Sequence, residues 1–234
     1  MTEPRSGLRL GFVALLGAGM LLVAGCSDPA RTLRYANGKP WSRIQYREGK
    51  PHGTWTTWHE NGKKKSEGSY LAGQKDGRWT TWFEDGSRSS VSDFTAGRRN
   101  GVWEQYYENG QLAQKGQYVD SKLDGKWVEY YGNGVQRGEA NYRLGKRHGD
   151  YIDYHKNGEL MQLETYEEGV RHGPYRFGAD TGFIHVIGEY IQNVQSGRWV
   201  YYNLPKNPGD DPTLNKAISG MYAEGKRVSP LPPE

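Results

Sequence analysis

The stretch Gly101-Val102-Trp103-Glu104-Gln105-Tyr106-Tyr107-Glu108-Asn109-Gly110 decides the fold, because its glycines and aromatic residues return every 24 residues. Its first glycine recurs at Gly53, Gly77, Gly101, Gly125, Gly149, Gly173 and Gly197. Two residues after these glycines come, in order, Trp55, Trp79, Trp103, Trp127, Tyr151, Tyr175 and Trp199. A fixed period of this length indicates an array of similar structural units that stack on their neighbours.

The composition favours strands over helices. The 234 residues include 33 glycines and 13% aromatic residues, whereas hydrophobic residues make up only 35% and the mean hydropathy is −0.91. Such a chain is poor material for one deep core, and rings that tolerate partial exposure carry much of its apolar area. We therefore expect an all-β fold, an elongated antiparallel β-meander built of 24-residue hairpin repeats that form a single-layer sheet.

Two turns are predicted in each repeat. An Asn-Gly or Asp-Gly step, such as Asn61-Gly62, separates two aromatic-rich runs and is a strong signal for a tight hairpin turn. A looser turn of four residues, such as 73–76, precedes each of the recurring glycines. This organisation predicts about 15 strands, which at about 4.8 Å per strand extend over roughly 70 Å.

The looser turn sets a predicted register in which Tyr70 lies opposite Trp79. The same register, applied to each looser turn, predicts a ladder of aromatic pairs on one face. The pairs are Tyr46–Trp55, Tyr70–Trp79, Phe94–Trp103, Tyr118–Trp127, Tyr142–Tyr151, Tyr166–Tyr175 and Tyr190–Trp199. We interpret this ladder as structural, because paired rings can substitute for a core.

A second aromatic stripe, three residues after the first, is the candidate partner-binding surface. It consists of Trp58, Trp82, Tyr106, Tyr130, Tyr154 and Tyr202. The odd offset predicts that these rings lie on the opposite face of the sheet. The residues predicted opposite the first five are Lys65, Ser89, Ala113, Arg137 and Met161. Half-covered rings can support a second layer, meet a protein partner or stack on sugars.

Residues 1–25 indicate a lipoprotein signal peptide that is not part of the fold. Arg5 and Arg9 precede a short apolar run that ends at Cys26, the only cysteine. The segment Leu22-Val23-Ala24-Gly25-Cys26 resembles the lipobox of bacterial lipoproteins, which implies that Cys26 carries a lipid. The alternative is an ordinary signal peptide that leaves Cys26 as a free thiol. Ser27 favours the outer membrane of the bacterial envelope.

Three further parts are predicted after the signal peptide. Residues 26–32 form a polar tether, residues 33–228 form the repeat array, and residues 229–234 form a Pro-rich tail. Extra residues at 203–213 replace a tight turn with a protruding loop, and the irregular last unit caps the array or contacts a ligand.

The charged residues do not indicate chemistry. The formal net charge is +4, and the basic residues alternate with acidic ones, so no nucleic acid partner is predicted. His52, His148 and His172 each stand before a recurring glycine, where turn residues are expected, and no metal or other cofactor is predicted. Without a nucleophile motif or phosphate loop, and with no evident cleft in a flat sheet, we predict no enzymatic activity.

The units that begin at Gly101 and at Gly125 resemble the MORN repeat variant, found in bacterial proteins often described as YwqK-type antitoxins. The resemblance covers roughly residues 33–228. It implies an antiparallel hairpin array that serves as an interaction or membrane-proximal scaffold, without catalytic residues. An export signal fits an envelope-facing immunity protein better than a cytoplasmic antitoxin.

Three functions follow from these patterns. The first is an envelope-anchored, non-enzymatic scaffold that binds an unknown protein partner. The second is an immunity protein or antitoxin-type inhibitor whose partner is a toxin. The third is a lipoprotein that binds cell-wall glycan, since the Trp and Tyr pattern resembles choline-binding repeats.

Overall fold

The computed structural model describes residues 28–205 and 210–232, and this part of the chain is one antiparallel sheet without helices. The strands are β1 Asp28–Arg34, β2 Pro40–Arg47, β3 Lys50–Trp58, β4 Lys64–Leu71, β5 Gln74–Trp82, β6 Arg88–Thr95, β7 Arg98–Tyr106, β8 Leu112–Val119, β9 Lys122–Leu123, β10 Gly125–Tyr130, β11 Gln136–Arg143, β12 Lys146–Tyr154, β13 Leu160–Glu167, β14 Val170–Gly178, β15 Ile184–Ile191, β16 Val194–Asn203, β17 Thr213–Leu214, β18 Gly220–Ala223 and β19 Lys226–Ser229. The prediction of an all-β repeat array is confirmed.

The strands follow one another across the sheet in sequence order, as a meander. Strands β9 and β10 both pair with β8, and β17 and β18 both pair with β16, so each couple acts as one interrupted strand. The sheet begins at β1, which includes residues 28–32 that the sequence assigned to the tether. The predicted signal peptide and the lipidation site at Cys26 lie outside the described residues. Among the described residues, no helix has the length and apolarity needed to cross a membrane.

The Asn-Gly steps form hairpin turns as predicted, but these are the longer turns of each repeat. Between β3 and β4, the His59 N–H donates to Lys63 O at 2.8 Å and the Gly62 N–H donates to His59 O at 2.9 Å. Gly62 has a φ of 92°, and Asn61 Oδ1 accepts the Lys63 N–H at 2.9 Å. This is a three-residue loop closed by a glycine in the left-handed region.

The predicted four-residue turn at 73–76 is wrong, because the chain turns over two residues. Leu71 pairs with Gln74 across Ala72 and Gly73, whose φ angles of 50° and 86° are both positive, as a type I′ turn requires. The recurring glycine Gly77 lies inside β5, at a bulge with a φ of 74°. These glycines therefore serve bulges rather than turns.

The predicted register is wrong for the same reason. Tyr70 lies opposite Lys75 rather than Trp79, and the bulge then shifts the pairing so that Glu67 lies opposite Thr80. Contact between the rings is confirmed for three predicted pairs, with centroid distances of 5.2 Å for Tyr70–Trp79, 6.4 Å for Tyr118–Trp127 and 5.1 Å for Tyr190–Trp199.

The aromatic ladder also contains ring contacts that the register did not predict, both within one hairpin and between equivalent residues of neighbouring repeats. The same-hairpin contacts include Trp55–Tyr70 at 5.8 Å, and the inter-repeat contacts include Trp103–Trp127 at 4.9 Å. We call the surface that bears these rings the ladder face; its first aromatics are Trp55, Trp79, Trp103, Trp127, Tyr151, Tyr175 and Trp199. Trp79 and Trp199 are only 5% and 1% exposed, so the ladder replaces a core.

Candidate partner-binding face

The six predicted contact rings share one face of the sheet, opposite the ladder face. Each lies at or next to the C-terminal end of its strand, where the alternation of the strand points it away from the aromatic residue three positions earlier. The Tyr106 hydroxyl donates to Glu104 Oε2 at 2.6 Å, which confirms that residues two apart lie on one side. We call the surface that bears Trp58, Trp82, Tyr106, Tyr130, Tyr154 and Tyr202 the stripe face.

The stripe rings are half-buried, and the residues that lie opposite them are shifted by one from the prediction. Those residues are Lys64, Arg88, Leu112, Gln136 and Leu160 for the first five rings. The prediction of Lys65, Ser89, Ala113, Arg137 and Met161 is wrong because each of those residues is the extra residue of a bulge beside the turn.

Cationic side chains cover part of two stripe rings. Lys64 Nζ lies 5.8 Å from the ring centroid of Trp82, and Arg88 Cζ lies 5.7 Å from that of Tyr106. Such contacts contribute about 0.5–1 kcal/mol at exposed sites. The rings are therefore held in place while one side stays open to solvent.

The stripe is interrupted at Gly178, where the sixth repeat has no ring. A Cβ at Gly178 would collide with the Leu160 carbonyl oxygen, and it would lie 3.0 Å from Ile184 Cδ1. Glycine is therefore required by the close approach of the neighbouring strand. Further along the sheet the stripe resumes at Tyr202, whose ring contacts Phe183 at 5.9 Å.

The row beside the stripe changes from polar to apolar along the array. The residues two positions before the stripe rings are Thr56, Thr80, Glu104, Val128, Ile152 and Val200. Their cross-strand partners on the following strands include Glu67 and Val91 near the start, and Leu163 near the end. Ile187, opposite Val200, is 41% exposed. The C-terminal half of this row is thus richer in aliphatic residues; Ile187 is exposed, Val200 is buried, and Arg176 lies between Leu163 and Ile187.

Ion pairs occur on the N-terminal and central part of this face. Lys64 Nζ lies 2.7 Å from Glu67 Oε2, Arg78 Nε lies 3.0 Å from Asp93 Oδ1, and Lys126 Nζ lies 2.8 Å from Glu139 Oε2. Pairs this exposed contribute little to stability. They give the face a mixed charge pattern rather than a field of one sign.

Two stripe tyrosines have raised pKa values. Partial burial raises the pKa of Tyr106, and the hydrogen bond that its hydroxyl donates to Glu104 adds to the shift. Partial burial also raises the pKa of Tyr154, with a smaller contribution from the negative charge of Glu139. Both phenols therefore stay protonated at neutral pH and offer a ring face, and the Tyr106 hydroxyl hydrogen is already donated to Glu104.

Sequence reasoning missed the contacts that fix the backbone of the stripe. In several repeats the residue that follows a stripe position forms a side-chain hydrogen bond with the backbone carbonyl oxygen of the stripe position in the next repeat. The Tyr107 hydroxyl donates to Tyr130 O at 2.8 Å, and the Tyr131 hydroxyl donates to Tyr154 O at 2.8 Å. The signal was present in the sequence as a tyrosine or histidine at this position, including His59, whose Nε2 lies 2.9 Å from Trp82 O.

The predicted turn histidines occupy strands. His52, His148 and His172 lie in β3, β12 and β14, directly before the bulge glycines. Within residues 28–205 and 210–232, no group of three or more His, Cys, Asp or Glu side chains could hold a metal ion.

Four segments of the array match a known repeat family. Residues 51–72, 99–120, 123–143 and 147–168 match the family model of the MORN repeat variant. The chain carries MORN repeats. Each matched MORN segment contains a hairpin, as in β3–β4 and β7–β8, and the predicted resemblance is confirmed there. Trp58, Tyr106, Tyr130 and Tyr154 lie within matched MORN segments, whereas Trp82 and Tyr202 lie outside them. A comparison with curated proteins finds no match.

Proposed function

We propose that this chain is a non-enzymatic MORN-repeat scaffold that binds a protein partner through its stripe face. The observation that carries the proposal is the row of half-buried rings on a sheet whose described residues form one layer. Aromatic side chains that are fixed in position and half-open to solvent lose little conformational entropy on binding, and they are enriched among residues that dominate interface energies.

The C-terminal half of the stripe face supports a protein partner in particular. Ile152 lies opposite Leu163, and Arg176 separates Leu163 from Ile187, which is exposed. Aliphatic side chains next to rings and charged residues resemble the mixed surface of a protein interface. The ion pairs of the N-terminal half would form its polar rim.

The location of the scaffold is a separate part of the proposal. We propose that the lipid on Cys26 anchors the protein in the bacterial envelope, at the outer membrane. The motif from Leu22 to Cys26 supports this. Replacing Cys26 with serine should release the protein from the membrane fraction, and metabolic labelling with a palmitate analogue should label the wild type alone. Equal labelling of the Cys26→Ser variant would contradict lipid attachment at this residue.

The partner-binding proposal is tested with the lipidated full chain. A triple variant, Trp82→Thr, Tyr106→Thr and Tyr130→Thr, removes three neighbouring stripe rings and keeps strand-favouring residues. Leu71→Ser with Leu144→Ser is the matched control, because Leu144 is exposed in a two-residue turn and Leu71 is exposed next to one, at the end of the hairpin that does not carry the stripe. Circular dichroism establishes that both variants keep the sheet.

The expected result is a protein that the wild type and the leucine control capture from envelope extracts and the stripe variant does not. The purified protein should then bind the wild type at a defined stoichiometry. Equal capture by the stripe variant would overturn the proposal. A captured toxin would identify the immunity function, and retention on purified cell wall, lost in the stripe variant, would identify a glycan as the ligand instead.

A further inference from the structure

A cavity of about 570 Å³ lies on the stripe face at the C-terminal end of the sheet. Val200 and Tyr202 of β16 form its floor, and Leu214 and Lys216 form one side. The segment Pro230–Pro232, which follows β19, forms the opposite wall. The volume lies within the range of small-molecule sites, roughly 300–1,000 Å³.

The cavity exists because the last unit departs from the repeat. Here β17 and β18 share the pairing with β16 and are separated by residues 215–219. By contrast, β9 and β10, which share the pairing with β8, are separated by Asp124 alone. The Ser219 hydroxyl replaces the missing strand pairing, because it accepts the Tyr201 N–H at 3.0 Å and donates to Tyr201 O at 3.2 Å. The segment is thereby held against β16.

A second contact fixes the position of Lys216. Arg227 Nε donates to Ser219 O at 2.8 Å, and its Nη2 donates to Lys216 O at 3.2 Å. The backbone of the side wall is therefore set before any ligand arrives. A preorganised wall reduces the entropy lost on binding.

The charged side chains that the described residues contribute to the cavity lining have one sign. Among the described lining residues, Arg198 and Lys216 are the charged ones, and within residues 28–205 and 210–232 neither forms an ion pair. Arg78 occupies the same repeat position as Arg198, 120 residues or five periods earlier, and lies opposite Asp93, with which it pairs. Arg198 lies opposite Met221 instead. The last unit therefore lacks the carboxylate that pairs with Arg78 at the equivalent position.

The remaining lining is mainly apolar. Val200 is 4% exposed, and Leu214 and Leu231 are half-buried, with prolines beside them. An apolar floor below two cations of the same site matches a ligand with an apolar body and one anionic group. We propose that this cavity binds a small amphipathic anion, such as an aryl or short acyl carboxylate or phosphate.

This site is independent of the proposed protein partner. The stripe variant at Trp82, Tyr106 and Tyr130 leaves every lining residue of the cavity unchanged. Loss of partner capture and loss of anion binding are therefore separate outcomes.

The test is a calorimetric titration of the lipidated full chain in lipid nanodiscs, with empty nanodiscs as the blank. The probes are 4-phenylbutyrate, phenyl phosphate, the uncharged 4-phenylbutanol, and acetate, which lacks the apolar body. We expect at least one of the two aromatic anions to bind at one site per chain and to bind more tightly than both 4-phenylbutanol and acetate. The tighter of the two anions identifies the polar group of the ligand.

Variants connect the binding to the cavity. Arg198→Gln and Lys216→Gln should each weaken binding of the aromatic anion about tenfold, since each removes one charge-assisted contact. Arg78→Gln, at the equivalent paired position, should leave binding unchanged. Removing residues 230–234 should also weaken binding, with an unchanged circular dichroism spectrum. The proposal would be overturned if neither aromatic anion binds, or if 4-phenylbutanol binds as tightly as the better anion. Full binding by the Arg198→Gln, Lys216→Gln double variant would also overturn it.

Discussion

The indole of Trp79 occupies the space that a side chain at Gly68 would fill. The two residues lie on neighbouring strands β4 and β5, and a Cβ at Gly68 would overlap the indole ring. The same relationship recurs between Gly116 and Trp127 and between Gly188 and Trp199. The ladder thus packs each of these tryptophans over the backbone of its neighbour, and the glycine is needed for this close approach.

Alanine at Gly68 should destabilise the sheet. The added methyl group overpacks against Trp79, which is almost fully buried, and we expect a loss of about 1–3 kcal/mol in the free energy of unfolding. Urea unfolding followed by tryptophan fluorescence measures it. Gly132→Ala is the matched control, because a Cβ there meets no atom within 4 Å and its φ lies outside the left-handed region. Equal effects of the two substitutions would refute the packing explanation.

Asparagine at Leu144 should stabilise the protein. Leu144 is 58% exposed at the first position of a two-residue turn, with a φ of 49° that a leucine rarely adopts. Asparagine tolerates this region, so we expect a gain of about 0.5–1 kcal/mol in thermal or urea unfolding. Leu71→Asn serves as the control because Leu71 is 56% exposed but lies in strand β4 with an ordinary φ. A gain at Leu71 as large as at Leu144 would show that backbone strain is not the cause.

Phenylalanine at Tyr107 should weaken the coupling between repeats. The substitution removes the hydrogen bond that the hydroxyl donates to Tyr130 O and leaves the ring in place. We expect a loss of about 0.5–1.5 kcal/mol in unfolding free energy and faster amide hydrogen exchange in β10. Tyr118→Phe is the control, since within the described chain its hydroxyl donates no hydrogen bond and its ring contacts Trp127. Unchanged exchange in β10 would mean that the contact does not couple the repeats.

The protein should lose stability at high pH because of Tyr175. Burial, with a contribution from neighbouring Tyr190, raises the pKa of Tyr175 to about 12, and its ring packs 5.5 Å from that of Tyr190. The unfolded chain, with an ordinary tyrosine pKa of about 10, deprotonates first. The stabilising effect is therefore complete below about pH 10 and is lost as the pH rises towards 12.

Two measurements test this dependence. Absorbance at 295 nm should show a late phenolate transition that is smaller by one tyrosine in Tyr175→Phe, since Tyr151 and Tyr166 also have raised pKa values. The unfolding free energy of Tyr175→Phe should decline less steeply than that of the wild type between pH 10 and 12. Parallel declines would exclude Tyr175 as a source of the alkaline sensitivity.

The assignment of residues to the two faces survived errors in the predicted register. The sequence placed Tyr70 opposite Trp79, whereas the structure pairs Tyr70 with Lys75, four residues earlier on the partner strand. Side chains alternate with a period of two, so a shift by an even number of residues keeps every side chain on its predicted face. The stripe rings were therefore placed correctly, while their direct neighbours, such as Lys64 in place of Lys65, were not.

The sequence by itself determined the repeat, the strands and the two faces, because periodic glycines and aromatics act locally through turn chemistry and side-chain alternation. Only the tertiary structure decided which residues between two strands form the turn and which form the bulge. A two-residue turn followed by a bulge at Gly77 and a plain four-residue turn use similar residues, and the strand pairing selects between them. The tertiary structure also decided the C-terminal cavity, because it depends on the return of Pro230–Pro232 to β16, a contact between segments that no local pattern encodes.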